Sequence, residues 1–87
     1  MNNNVLYTFD DLELEKKVIG PMNQGVNLIN LELEVELTHV PNYLMYKKDN
    51  PNLNKVLALI NLLKKLHEKG LSWSNRDIIH FINEIKE

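Results

Sequence analysis

The sequence predicts an α+β domain in which an N-terminal antiparallel β-hairpin or small sheet is followed by a two-helix hairpin packed on one face. Three observations point there. Residues 31 to 38 alternate between apolar and polar side chains. Residues 51 to 69 carry apolar side chains around nearly the whole helical circumference, in a segment that Asn50-Pro51 opens and Gly70 closes. Residues 75 to 86 carry apolar side chains at helical spacing behind Ser74.

In chain order, Met1 to Asn4 are expected to be frayed. Val5 to Phe9 are β-prone, and Asp10-Asp11 reads as a break. Leu12-Glu13-Leu14-Glu15 again alternates, with a looser continuation to Val18-Ile19, and Gly20-Pro21 with Asn23-Gln24-Gly25 is turn material. The alternation of Leu31, Leu33, Val35 and Leu37 with Glu32, Glu34, Glu36 and Thr38 is that of a strand with one face on a core and one in water. The two alternating segments are therefore expected to pair as a hairpin around residues 20 to 25. A symmetric register sets Leu14 against Leu31, Leu12 against Leu33, Glu13 against Glu32 and Asp11 against Glu34.

Residues 39 to 50 read as a connecting loop. Asn50 suits an N-cap and Pro51 the first helical position. The helix over 51–69 ends at Gly70, where a left-handed residue is wanted. It is apolar nearly all round, which predicts burial on more than one side. Leu59, Leu62 and Leu66 broaden that face enough to suggest a homodimer through helix 51–69. Ser74 and Asp77 have capping-box spacing before the helix over 75–86. The expected core comprises Leu33, Val35, Leu57, Ile60, Leu63, Ile78 and Ile82.

Composition bounds the function. The chain has 87 residues, 44% of them hydrophobic and 25% charged, and is read as a single domain over 1–87. It has no cysteine, which excludes disulfides, thiolate metal sites and a cysteine nucleophile. No signal-like or bilayer-length apolar run is visible, so a cytoplasmic protein without membrane contact is expected. Asn, Lys and Ile supply a third of the chain, a bias common in low-GC bacteria and their phages and plasmids.

No catalytic constellation emerges. His39, His67 and His80 share no helical metal-site spacing, the three glycines fall in turns, and no nucleophile has an evident base. A non-enzyme without cofactor or metal is expected. Charge is more informative. Residues 1 to 46 hold seven acids against two lysines, and residues 47 to 87 eight bases against five acids. An acidic face of Asp11, Glu13, Glu32, Glu34 and Glu36 suits a protein partner with a basic surface. Its plain alternative is a solvated face that keeps sheets apart. The expected function is a small protein-binding regulator or inhibitor of phage or plasmid type, acting on a nucleic-acid-handling partner.

The alternative is a DNA-binding regulator. The last 30 residues or so resemble a helix-turn-helix, which would place Asn75, Arg76, His80 and Asn83 on the reading face and Lys65 and Lys69 near phosphate. The negative overall charge and the single arginine speak against it.

Overall fold

The computed structural model describes residues 3–87. It is an α+β domain with a three-stranded antiparallel sheet and four helices. Strand β1 (Asn4–Thr8) leads into helix α1 (Leu12–Ile19). A short 3-10 turn (Pro21–Asn23) joins α1 to α2 (Gln24–Leu33). Strands β2 (Leu37–Val40) and β3 (Tyr43–Tyr46) form a hairpin, and α3 (Leu53–Glu68) and α4 (Asn75–Lys86) complete the chain. The sheet order is β1-β3-β2.

The small sheet and the C-terminal helix pair agree with the sequence reading, but the strands lie elsewhere. The hairpin expected over residues 12 to 38 is largely helical. Asp11 is not a break: its Oδ1 accepts from Glu13 N at 2.9 Å and Leu14 N at 3.2 Å, which makes it the N-cap of α1. The buried residues of α1 are Leu14, Glu15, Val18 and Ile19, a helical and not an alternating set. Those of α2 are Gly25, Val26, Ile29 and Leu33. The expected pairs Leu14–Leu31, Leu12–Leu33, Glu13–Glu32 and Asp11–Glu34 therefore do not exist as strand partners. Leu12 is 64% and Leu31 73% exposed.

The alternation after Leu31 survives in burial. Leu33, Val35 and Leu37 are buried while Glu34, Glu36 and Thr38 are exposed, although only Leu37 onward is strand. Leu33 ends a helix, and Glu34 turns the chain in the left-handed conformation (φ 56°).

The segment expected to be a loop, 39 to 50, holds the sheet's central strand. Leu37 pairs with Tyr46, Thr38 with Met45, His39 with Leu44 and Val40 with Tyr43. The turn is Pro41-Asn42, with Asn42 at φ 76°, the residue types that suit the two central positions of a type II turn. β1 pairs with β3 from Asn4↔Tyr46 to Thr8↔Tyr43, with an irregularity between Val5 and Tyr7. Asn4 is thus paired and not frayed; Met1 and Asn2 lie outside the described residues.

Asparagines satisfy backbone groups that secondary structure leaves open. Asn30 donates to Leu37 O (3.1 Å) and accepts from Leu37 N (2.9 Å), closing the outer edge of β2 at that residue. Asn50 and Asn52 donate to Glu34 O (2.9 Å) and Leu33 O (2.7 Å), carbonyls at the end of α2 that have no helical partner. Asn50 also accepts from Asn52 N, and α3 starts two residues after Pro51. At its far end Leu71 N bonds Leu66 O and Gly70 N bonds His67 O, with Gly70 at φ +77°, a Schellman arrangement. Ser74 and Asp77 form the expected capping box.

The core joins all layers: Leu14, Val18, Ile29, Leu33, Leu44, Val56, Leu59, Ile60, Leu63 and Ile82 are almost fully buried. Of the expected core, Leu57 alone is only half-buried, while Leu59 takes the inward position. Helix α3 is covered by α1, α2, α4 and β1, and its leucines are absent from the exposed large apolar side chains. Among the described residues no helix is long and apolar enough to cross a membrane.

Candidate functional site

A pocket of about 410 Å³ opens where α1 meets the β2–β3 hairpin. Leu12, Ile19, Pro21 and Pro41 line it together with Lys16, and Glu15 and His39 supply its hydrogen-bonding groups. Spacing explains the first contribution. Leu12, Glu15, Lys16 and Ile19 are three to four residues apart and share one side of α1. The tight Pro41-Asn42 turn brings the hairpin tip to that side.

Glu15 is 5% exposed, a carboxylate on the buried side of its helix. Its Oε2 takes a hydrogen bond from His39 Nε2 at 2.6 Å and another from Asn42 N at 2.8 Å. The second bond has a local origin. The N–H at the third position of a tight turn has no partner within the turn, and the carboxylate supplies one. Hydrogen bonding from His39, outweighing burial, with help from Asn42 N, lowers the Glu15 pKa below the ordinary carboxylate value, so the group is ionised at neutral pH. Both bonds fall on Oε2, so among the described residues Oε1 has no donor. Among the described residues no side-chain oxygen is left sealed and unsatisfied, so Oε1 keeps contact with solvent.

A second polar network joins α1 to the other end of α3. Lys17 Nζ donates to His67 Nδ1 at 3.1 Å and to Leu71 O at 3.2 Å, and stands 4.6 Å from the centre of the Trp73 ring. With Nδ1 accepting, His67 carries its proton on Nε2 and donates it to Asp11 Oδ2 at 3.1 Å. Capping hydrogen bonds from the α1 backbone, Leu14 first, and the His67 contact lower the Asp11 pKa despite some desolvation. Asp11, Glu13 and His67 lie close enough to share a cation, but Asp11 is committed to its cap and to His67, and Lys17 sits on the other ring nitrogen. That arrangement clamps α1 to the α3–α4 connection.

The expected acidic face is divided. Asp11 is internally paired, and Glu13 stands exposed in the first turn of α1, where the helix dipole favours it. Glu32, Glu34 and Glu36 stay together at the exit of α2: Glu32 half-buried, the other two exposed. Among the described residues the ion pairs all involve histidines: His39–Glu15, His67–Asp11 and the exposed His80–Glu84 at 3.6 Å. The alternative set of Lys65, Lys69, Asn75, Arg76, His80 and Asn83 is exposed throughout on α3, its C-cap and α4.

Sequence reasoning missed Glu15 and His39. The sequence pattern makes Glu15 one polar step of an alternation and puts His39 at the start of a connecting loop. The available signal was the four-residue step from Glu15 to Ile19 beside that from Leu14 to Val18, which puts a carboxylate on the inward side of a helix.

These elements define a small α+β domain with a partly apolar pocket at one seam and a carboxylate group at the exit of α2. Comparison with protein families, with characterised proteins and with solved structures finds no match to this chain.

Proposed function

We propose that this chain is a non-catalytic protein-binding module that docks on a basic surface of a partner protein through Glu32, Glu34 and Glu36. The observation that carries this reading is electrostatic. The C-terminal end of a helix carries partial negative charge and favours cations, by roughly 0.3–1 kcal/mol each. Helix α2 has no basic residue in its last turn and no acid in its first, and its exit instead gathers three carboxylates. Lys86 reaches this end, its Nζ donating to Glu32 O at a long 3.4 Å.

A basic partner relieves that repulsion and is steered towards it. The biological setting that fits is a regulator or inhibitor of a nucleic-acid-handling protein, because spaced carboxylates offer what a basic groove otherwise receives from phosphates. Glu13, on the first turn of α1, is a rim contributor and not part of the same group.

A second reading is DNA binding. It is favoured by the exposure of Lys65, Lys69, Asn75, Arg76, His80 and Asn83 and by a second helix-turn-helix connection, α1 to α2 through Gly20, Pro21, Met22 and Asn23. Against it, the outward residues of α2 include Gln24, Asn27 and Leu31 but no base, and Glu32 to Glu36 follow them. Phosphate affinity needs clustered positive charge.

Affinity capture from the native host at low and moderate salt, with wild type beside Glu32→Gln/Glu34→Gln and Arg76→Gln/Lys69→Gln, separates the two. The protein-docking reading expects a protein lost selectively with the first pair. DNA retained by wild type and lost selectively with the second pair contradicts it.

A further inference from the structure

We propose that the pocket between α1 and the β2–β3 hairpin is a receptor for a lysine side chain of a partner protein. The apolar residues Leu12, Ile19, Pro21 and Pro41 take its alkyl stem, and Glu15 Oε1 takes its ammonium group. Three features of the site converge on that ligand. The carboxylate is more than nine-tenths buried, yet one of its oxygens has no donor among the described residues. The remaining lining is largely apolar, which suits a stem of methylenes and gives little to a hydrated anion or a sugar. Oε2 already accepts from His39 Nε2 and Asn42 N, so the carboxylate cannot offer both oxygens to a fork-shaped guanidinium. A single free oxygen matches the single-point contact of an ammonium.

His39 and Asn42 act as positioning residues. They hold the carboxylate by Oε2 and leave Oε1 directed to the ligand. Lys16 lines the same pocket, is exposed and has no ion-pair partner among the described residues. It opposes an incoming cation weakly, through solvent and salt. This site is separate from the carboxylates of Glu32, Glu34 and Glu36, and the test below uses a free ligand, so its failure leaves that docking reading intact.

The test is an NMR titration of the isotope-labelled full chain with Nα-acetyl-lysine methylamide, Nα-acetyl-norleucine methylamide and Nα-acetyl-arginine methylamide. Saturable shifts at Leu12, Glu15, Ile19, His39 and Asn42 are expected with the lysine compound. Its affinity should exceed that of the norleucine compound by about tenfold, the scale of one hydrogen bond to a charged group. The arginine compound should bind more weakly than lysine. Lys16→Gln, which removes the opposing charge from the lining, should raise the ratio of lysine to norleucine affinity. Glu15→Gln should remove the preference for lysine. If that variant does not fold, the three ligands and Lys16→Gln decide alone. Equal binding of lysine and norleucine compounds, tighter binding of the arginine compound, or no saturable shift with lysine at the highest soluble concentration would overturn the proposal.

Discussion

Gly25→Ala tests the packing that positions the candidate pocket. Gly25 is the second residue of α2 and is buried against the end of α1. A Cβ built there lies 2.1 Å from Val18 O, 2.9 Å from Ile19 O and 3.2 Å from Ile19 C, where real Cβ contacts essentially never fall below 3.0 Å. The obstacles are backbone atoms, so no side chain can swing aside. The end of α1 and the start of α2 must separate by about 1 Å, and Val18, Ile19 and Val26, all buried around them, must move too. Overpacking of this kind costs about 1–3 kcal/mol, and the rigid partners place this site at the upper end. Alanine regains at most about 1 kcal/mol of helix propensity. The net expectation is a loss of about 2 kcal/mol. In urea, with m of about 1–2 kcal/mol/M for so small a chain, the unfolding midpoint should fall by about 1–2 M with m unchanged. An unchanged midpoint, or one raised by the added propensity, would mean that α1 and α2 do not approach as described, and the pocket geometry would go with them.

Two further perturbations probe separate features. Gly70→Ala meets nothing within 4 Å, but its φ of +77° is a left-handed conformation, so it should lose on the order of 1 kcal/mol through the backbone alone. No change in the urea midpoint would deny that conformation. Glu15→Gln should lower stability at neutral pH, and the deficit should shrink in acid. Because folding lowers the Glu15 pKa, its contribution is complete above the ordinary carboxylate value and disappears as pH falls through the lower folded value. Parallel stability curves for wild type and variant from pH 7 down to pH 2 would show that the ionised carboxylate is not what His39 and Asn42 hold.

The parts of this fold that were legible in the sequence are those with local causes. Helices α3 and α4 follow from long apolar periodicity, the Ser74–Asp77 box and Gly70, all of which act within a few residues. The alternation from Leu12 to Glu15 is too short to distinguish periods of 2 and 3.6, and that over 31 to 38 begins inside α2 and holds only in burial beyond it, so the pattern points to strands where Leu and Glu build helices. Both are good helix formers, and Asp11 gave the start signal as an N-cap. Pro41-Asn42 signals a turn without saying that four-residue strands flank it, so 39 to 50 resembles a loop; the bulk of Tyr43, Leu44 and Tyr46 is the β signal in that segment. The pairing of Glu15 with His39 spans 24 residues and depends on how α1 lies on the sheet, which no local pattern encodes. The acids were visible from the start, but their division into a capped pair, a free α1 residue and a group at the exit of α2 was not.

The docking claim is tested most directly by the association rate of the captured partner as a function of ionic strength, for wild type and for Glu32→Gln/Glu34→Gln. Exposed charges that steer an encounter are screened over about 10 Å at 0.1 M salt. The wild-type rate should fall steeply as salt rises, and the variant should associate more slowly at low salt with a flatter dependence. The variant, relieved of repulsion at the end of α2, should be at least as stable as wild type when alone. An association rate and a salt slope that match wild type, in a variant that is folded, would contradict the claim that this carboxylate group docks the partner.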